Sequence, residues 1–367
     1  MKIFVTELKV SGFRNLAPTV YHPLEKFNMI TGRNAQGKTN LIEAIWLMTG
    51  CRSFRGSKDR DCIGFDSSCA EIELSFCSRL RSQKIYYRIC RSSREKKIML
   101  NGIPCSGGKK LFEQFCCIAF LPSDISLCEG MPEKRRTFLD MCCSQLKPSL
   151  MDYIRKYNLI YAHRSAVLKN NTVSRKELDI WNEQLAAAGA VISHARHSYS
   201  CRLDKVCREL YGIAAGNGEE LTVSYRSGIY PKDYQYPEKP DSRMISDYRK
   251  KLEISENDDI RLGYTQHGIH RDDLSLKING LPVKLYASQG QKKSSALVMK
   301  LAQADILKNE TGENPVILLD DVMSELDSSR QQLVSRITGD MQVFATSCGA
   351  EMPEFSCRME NGVLECS

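Results

Sequence analysis

The sequence predicts an α/β fold: a mixed sheet with helices, assembled from both ends of the chain and interrupted by a helical insertion. Three observations carry the prediction. The short apolar run Phe27 to Ile30 leads into a glycine-bearing stretch, GRNAQGKTN at Gly32 to Asn40, and then into a helical pattern. Near the other end, PVILLDDVMSELD at Pro315 to Asp327 holds a continuous apolar run that stops at two carboxylates, the pattern of a strand buried on both faces. Between them, from about Pro132, the apolar spacing changes from two residues to three and four.

Taken in order, Glu71 to Cys77 and Lys84 to Ile89 alternate apolar and polar residues, and Asn101-Gly102 is a strong hairpin signal, so the first ~120 residues read as sheet-rich around one helix. That helix carries Leu41, Ile42, Ile45, Leu47 and Met48, packed on most sides, and Gly50 stops it. Leu150, Tyr153, Ile154, Tyr157, Ile160 and Tyr161 mark one long helix; Leu178, Trp181, Leu185, Ala188 and Ile192 mark a second. Asn170-Asn171-Thr172 separates them, and Ser174 with Glu177 forms a capping box for the second. Unbroken from Ser174 to Tyr211, that helix would be roughly 57 Å long. Strand pattern returns at Leu221, Val223 and Tyr225, a second hairpin centres on Asn279-Gly280, and Pro231, Pro237 and Pro240 mark an irregular linker. The expected division is an N-terminal lobe part at 1–121, a helical arm at 122–220, and returning strands that complete the first lobe at 221–367.

Composition narrows the class. A length of 367 residues favours two lobes over one core. The longest apolar stretches, 115–121 and 185–192, fall far short of the ~20 residues of a membrane span, and Glu7 and Lys9 occupy what would be the apolar core of a signal peptide. The expectation is a cytoplasmic protein with no membrane partner. Sixteen cysteines without any C-x-x-C pair are expected to be reduced thiols rather than a disulfide framework or zinc site. His194, His197 and Cys201 share one helical face, where ordinary packing is the stronger reading than metal binding. The net charge of +8 permits an anionic partner, and the basic residues cluster at Arg52, Arg55, Lys58 and Arg60, at 79–97, and at Lys134-Arg135-Arg136.

The chemistry sits in three motifs. In Gly32, Arg33, Asn34, Ala35, Gln36, Gly37, Lys38, Thr39 and Asn40, glycines at this spacing turn the backbone so that successive N–H groups face phosphate oxygens at a helix N-terminus. Lys38 then reaches the β- and γ-phosphates of ATP, and the Thr39 hydroxyl joins Asp320 on Mg²⁺. Asp321 is placed to orient the attacking water, which makes Asp321 and Lys38 the candidate catalytic pair. Ser288, Gln289 and Gly290, in ASQGQKKSSALVMK, open a helix whose N-terminus can offer donors to a phosphate; alone, they would be an ordinary Ser-capped helix.

The three motifs in this order resemble the ABC-type ATPases, which implies an ABC-type P-loop ATPase head with an inserted helical arm. In that superfamily Ser288 to Gln291 correspond to the signature that caps the γ-phosphate held by a second copy, and Ser324 to Asp327 to the turn facing that copy, implying an ATP-dependent homodimer. Within it the chain resembles the RecF family of bacterial recombination mediators, relatives of the SMC proteins. The resemblance spans nearly the whole chain: GFRNL at 12–16, GRNAQGKTNLIEAI, RSFR at 52–55, LPSDISLCEG with RRTFLD, GIHRDD at 268–273, SQGQKK and LLDDVMSELD. It implies binding of DNA, single-stranded or at single-strand/duplex junctions, cooperation with RecR and RecO in placing RecA, and a part in the SOS response. Candidate DNA contacts are Arg14, Arg52, Arg55, Arg135 and Arg136.

Two positions depart from the superfamily. Asp321 replaces the glutamate of transporter-type members, and Ser347 stands at the place of the switch histidine after QVFAT. Both fit a weak, DNA-stimulated ATPase; a DNA-binding clamp with negligible hydrolysis is the alternative. The glutamine of the Q-loop is expected around Leu121 to Asp124. A transporter motor is disfavoured by the roughly 250 residues between phosphate loop and signature, and a large SMC protein by the lack of a long heptad coil.

Overall fold

The computed structural model describes residues 3–78, 81–92, 96–105, 108–169, 174–215, 218–348 and 356–366. It divides into two compact units, residues 1–124 with 297–367, and residues 125–296. The elements of the first unit are β1 (Phe4–Ser11), β2 (Thr19–Tyr21), β3 (Phe27–Thr31), α1 (Lys38–Leu47), β4 (Cys69–Ser78), β5 (Arg81–Cys90), β6 (Lys96–Leu100), β7 (Ile103–Pro104), α2 (Lys109–Phe112) and β8 (Cys117–Phe120). The second unit holds α3 (Ser126–Glu129), α4 (Pro132–Leu146), α5 (Leu150–Leu168), α6 (Arg175–Ala215), β9 (Leu221–Arg226), α7 (Ser242–Ile254), α8 (Glu256–Leu262), β10 (Asp273–Ile278), β11 (Leu281–Pro282) and α9 (Val283–Tyr286). The division falls inside α10 (Gln289–Thr311), after which β12 (Val316–Leu319), α11 (Ser328–Thr338), β13 (Val343–Ser347), β14 (Ser356–Glu360) and β15 (Val363–Cys366) complete the first unit.

Two six-stranded sheets build the first unit. One is antiparallel, in the order β2-β1-β4-β5-β6-β7; the other runs β15-β14-β3-β13-β12-β8 and is parallel except for the terminal hairpin. The period-two pattern of β4 is literal: Ala70, Ile72, Leu74 and Phe76 are buried while the residues between them are not. β12 and β8 read Val-Ile-Leu-Leu and Cys-Ile-Ala-Phe and are buried at every position, as strands covered on both faces must be. α1 is buried on all sides from Leu41 to Leu47, including Glu43 at 0% exposure, whose charge is compensated by Arg14. The Gln342 amide, itself fully buried, accepts the Val5 N–H at 2.6 Å and donates to Val5 O and Leu24 O, satisfying backbone groups that no strand partner reaches.

In the second unit α6 is a single helix of 41 residues, about 61 Å at 1.5 Å per residue, as its pattern predicts. Asn170-Asn171-Thr172 lies outside the described residues. The expected boundaries are corrected here. Residues 221–296 do not complete the first unit: β9 pairs antiparallel with β10, β10 with β11, and these strands belong with the helices. Residues 231–240, marked by Pro231, Pro237 and Pro240, form no helix or strand, and directly after Pro240 the Asp241 carboxylate caps α7 by accepting the Met244 N–H at 2.9 Å. α7 buries Met244, Tyr248 and Leu252 at a spacing of four.

The cysteines also depart from expectation. Cys69–Cys90 and Cys357–Cys366 are disulfides, and the other twelve are free thiols. Their sequence separations of 21 and 9 carry no pairing signal; strand register does, because each pair lies directly opposite across β4–β5 and β14–β15. Among the described residues no helix is long and apolar enough to cross a membrane.

His270 is half-buried in the second unit. Its Nε2 meets Thr265 O at 3.0 Å, its Nδ1 faces the Tyr157 hydroxyl at 3.4 Å, and its ring lies against Tyr161. Burial, opposed by the Thr265 carbonyl and aided by Arg271, Arg136 and Arg164, pushes its pKa down to about 4. Unfolded, the same imidazole titrates near 6.5, so between those values the unfolded chain binds the extra proton. Stability present above pH ~6.5 is therefore lost as pH falls toward 4, with a slope of up to about 1.4 kcal/mol per pH unit from this one group. Urea midpoints measured from pH 7 to 4.5 should fall, and His270→Gln should flatten the slope; parallel slopes would contradict the assignment.

Candidate nucleotide-binding site

The site forms where β3, β12 and β13 run parallel and end together. The loop Gly32 to Gly37 joins β3 to α1, and Asp320 and Asp321 follow β12. Gly32 has φ +147°, and a Cβ there would fall 2.3 Å from Met359 O on β14, so only glycine serves. Ala35 takes a left-handed φ of 64° without being glycine, a strained conformation held by its surroundings. Asn15 of the GFRNL motif donates to Ala35 O at 3.2 Å and accepts from Asn40. From the other side the β14–β15 turn closes on the loop: Gly362 N–H donates to Gln36 O at 2.9 Å, and Asn361 N–H to the Gln36 side chain.

That turn supports a prediction. Gly362 has φ +81°, and a Cβ on it would lie 2.0 Å from Asn15 O. Gly362→Ala must shift the turn off the loop, at a cost of about 1–3 kcal/mol for an imposed strained conformation. A lowered melting temperature together with weakened nucleotide binding is the expected result. Unchanged nucleotide affinity would mean the turn does not brace the loop.

The loop and strand ends enclose a cleft of about 310 Å³ lined by Asn34 to Asn40, Arg55, Asp320, Asp321, Thr346 and Cys348. Lys38, only 6% exposed, directs its ammonium at Gly32 O (2.5 Å) and Arg33 O (2.8 Å). Thr39 Oγ1 donates to Asp320 Oδ1 at 2.8 Å, and Thr346 Oγ1 donates to the same oxygen at 3.0 Å. Asp321 has φ 53°, its N–H bound to Thr346 Oγ1 and its Oδ1 accepting from Ser324. Thus the structure brings the loop residues, Lys38, Thr39, Asp320 and Asp321 together in one cleft. Thr39 and Asp320 supply hard oxygen donors side by side, and among the described residues no group of three His, Cys, Asp or Glu forms a metal cage. This donor set fits Mg²⁺, which keeps waters and takes phosphate oxygens, rather than a metal held by protein alone.

The remaining candidates are distributed otherwise. Ser288, Gln289 and Gly290 are exposed at the start of α10 in the second unit, where Ser288 Oγ accepts the Gln291 N–H and Gln291 Oε1 accepts the Ser288 N–H, a closed capping box. Arg14 is committed to structure: it grips Glu43 with two nitrogens, at 2.9 and 3.1 Å, and also reaches Ser57. Arg135 is buried and forks onto Asp273 at 2.6 and 2.9 Å. Arg136 is half-buried and donates to Asp272 O. Arg55 is exposed and lines the nucleotide cleft, donating to Asn40 Oδ1 at 2.8 Å, while Arg52 is exposed. At Leu121 to Asp124 no glutamine stands, and the Asp124 carboxylate turns back to accept the Leu121 N–H. His194 bonds to Pro237 O, and His197 stacks on Tyr236 with its Nε2 near the Cys201 sulfur, so this face is occupied by packing contacts.

Sequence reasoning missed Cys348. It put Ser347 at the place of the switch histidine, and the side chain facing Asp321 is one residue later: Cys348 Sγ lies 3.2 Å from Asp321 Oδ2. Partial burial and the Asp321 carboxylate raise its pKa above that of an ordinary thiol, so it stays an S–H donor. The available signal was strand alternation, which directs neighbouring residues to opposite faces.

The family model described as RecF/RecN/SMC N terminal domain matches residues 4–363. A protein named DNA replication and repair protein RecF, from Alkaliphilus oremlandii (strain OhILAs), is 34% identical over 347 residues, spanning 94% of this chain and 93% of the relative. The solved structure of the recombination mediator protein RecF with ATP in the RecFOR pathway superposes with a TM-score of 0.92 at 31% identity, covering 100% of this chain and 98% of that one. An Smc head domain from Pyrococcus furiosus, at 14% identity and a TM-score of 0.57, shares the fold, over 100% of this chain and 96% of its own. The fold is thus that of the ABC-type ATPase heads, and the chain belongs to the RecF/RecN/SMC N-terminal domain family and, within it, to the RecF group of DNA replication and repair proteins.

Proposed function

We propose that this chain is an ATP-dependent DNA-binding protein of recombinational repair and replication that dimerises on ATP and binds single-stranded or gapped DNA. In this reading it works with RecR and RecO to assist RecA loading, and it contributes to the SOS response. The carrying observation is the convergence of Lys38, Thr39, Asp320 and Asp321 on one cleft at the end of three parallel strands. The ATP-bound RecF structure, alike over its full length, supports ATP as the nucleotide, and its placement in the RecFOR pathway supports the partners.

Lys38 would exchange its bonds to the loop carbonyls for the β- and γ-phosphates. Thr39 and Asp320 would hold Mg²⁺, which neutralises charge on the phosphate oxygens. Asp321, fixed by Thr346 and Ser324, would orient water in line with the γ-phosphate. Ser288 to Gly290, exposed at a helix N-terminus, would cap that phosphate in a second copy. Arg52 and Arg55 are the candidate DNA contacts that keep an exposed guanidinium, with Arg136 half-buried and Arg14 and Arg135 held by carboxylates.

With so short a carboxylate as Asp321, ATP serves as a timer of the closed dimer, and turnover well below ~10 s⁻¹ is expected. The test is sedimentation with ATP and a gapped duplex, wild type against Asp321→Asn. The variant should keep nucleotide affinity and hold the dimer on DNA at least about tenfold longer, since removing a water-orienting group acts on the barrier and not on ground-state binding. Equal lifetimes would favour a clamp with negligible hydrolysis. A monomer under every condition would end the dimer model.

A further inference from the structure

Three groups of the nucleotide cleft meet at the sulfur of Cys348. Lys38 Nζ donates to it at 3.5 Å, and its single S–H proton lies between two acceptors, Asn34 Oδ1 at 2.7 Å and Asp321 Oδ2 at 3.2 Å. The opposite oxygen of Asp321 is held by Ser324 Oγ at 3.2 Å, so the carboxylate is braced from two sides. Its backbone is left-handed at a residue that is not glycine, a state that persists only where the surroundings over-determine it. Cys348 itself is exposed to the cleft, so nothing about the core requires a thiol there.

We propose that Cys348 is a positioning residue for ATP hydrolysis, holding Asp321 against the attacking water and linking that carboxylate to Lys38. The inference rests on the reading of Asp321 as the water-orienting group. Before nucleotide arrives, the Lys38 ammonium is shared among two carbonyls and the sulfur. A γ-phosphate oxygen is charged and a far stronger acceptor than a thiol, so it draws Lys38 away. The single S–H proton is then shared only between Asp321 Oδ2 and Asn34 Oδ1, and the carboxylate reaches its working orientation when the phosphate is in place. No proton leaves the sulfur in this scheme.

The experiment uses the full chain with Cys348→Ala, Cys348→Ser and Asp321→Asn, comparing steady-state turnover of ATP with equilibrium binding of a non-hydrolysable analogue. Cys348→Ala should lower kcat about tenfold, the effect of one orienting hydrogen bond, with analogue affinity within about twofold of wild type. Cys348→Ser keeps a donor and should recover most of the rate. As a second readout, ATP should slow alkylation of Cys348 by N-ethylmaleimide, followed by mass spectrometry of its peptide. Unchanged kcat in Cys348→Ala, while Asp321→Asn is inactive, overturns this inference alone. Loss of analogue binding in both Cys348 variants overturns it too, because the residue then acts through structure. Wild-type turnover by Asp321→Asn removes the underlying reading and this inference with it.

Discussion

Lys38→Ala is expected to lower ATP affinity at least about a hundredfold, with loss of ATP-dependent dimerisation. The cleft carries two cations, Lys38 and Arg55, against two carboxylates, Asp320 and Asp321, so it is electrically balanced before nucleotide enters. Removing Lys38 leaves one cation against two carboxylates, and a polyphosphate must then approach a net negative site. Charge-assisted bonds to a buried ammonium are worth about 1.5–3 kcal/mol each, and losing two of them corresponds to a factor of about 10² or more. Titration with a fluorescent ATP analogue measures the effect, and circular dichroism checks that the fold survives the loss of donors to Gly32 O and Arg33 O. Affinity within threefold of wild type would show that the phosphates bind elsewhere.

The phosphate loop and β12 were legible because their signals are local: glycine spacing, a buried apolar run, and carboxylates at its end. The hairpins at Asn101-Gly102 and Asn279-Gly280 were legible for the same reason, with φ near +50° and +80° at the two turn residues of each. What failed was set by distant pairing. Residues 221–296 were assigned to the wrong unit because β9 looks like any returning strand until β10, some fifty residues on, fixes its sheet. Arg14 and Arg135, the latter in a basic cluster, were read as DNA contacts, yet their partners Glu43 and Asp273 lie 29 and 138 residues away in sequence. Ser347 and Cys348 differ by one position, and only the geometry of the strand end says which of them meets Asp321. A charge cluster in sequence is therefore weak evidence for a binding surface until the carboxylates that neutralise it have been located.

GIHRDD at 268–273 makes the same point from the side of a motif, because its charges hold the second unit together. Asp272 is 0% exposed and its carboxylate accepts three bonds, from Arg196 Nη1 (2.7 Å), Tyr225 (2.5 Å) and Gly228 N–H (2.7 Å), while the same Arg196 guanidinium forks onto Asp140 at 2.8 and 2.9 Å. Arg196 further donates to Ile269 O, so one buried side chain joins α4, α6 and the turn before β10. Arg196→Met removes the cation and strands the Asp272 carboxylate in the interior. Breaking one side of a buried pair costs about 3–5 kcal/mol, because the surviving charge cannot be hydrated. For a unit of this size that lowers the melting temperature by roughly 6–20 °C. Adding Asp272→Asn to Arg196→Met should recover part of the loss, since an amide is cheaper to bury than an unpaired carboxylate. Calorimetry of both variants, with ATP affinity as the control that should stay near wild type, makes the check. A single variant as stable as wild type would mean that water reaches Asp272 and that the motif's acids are available for some other task.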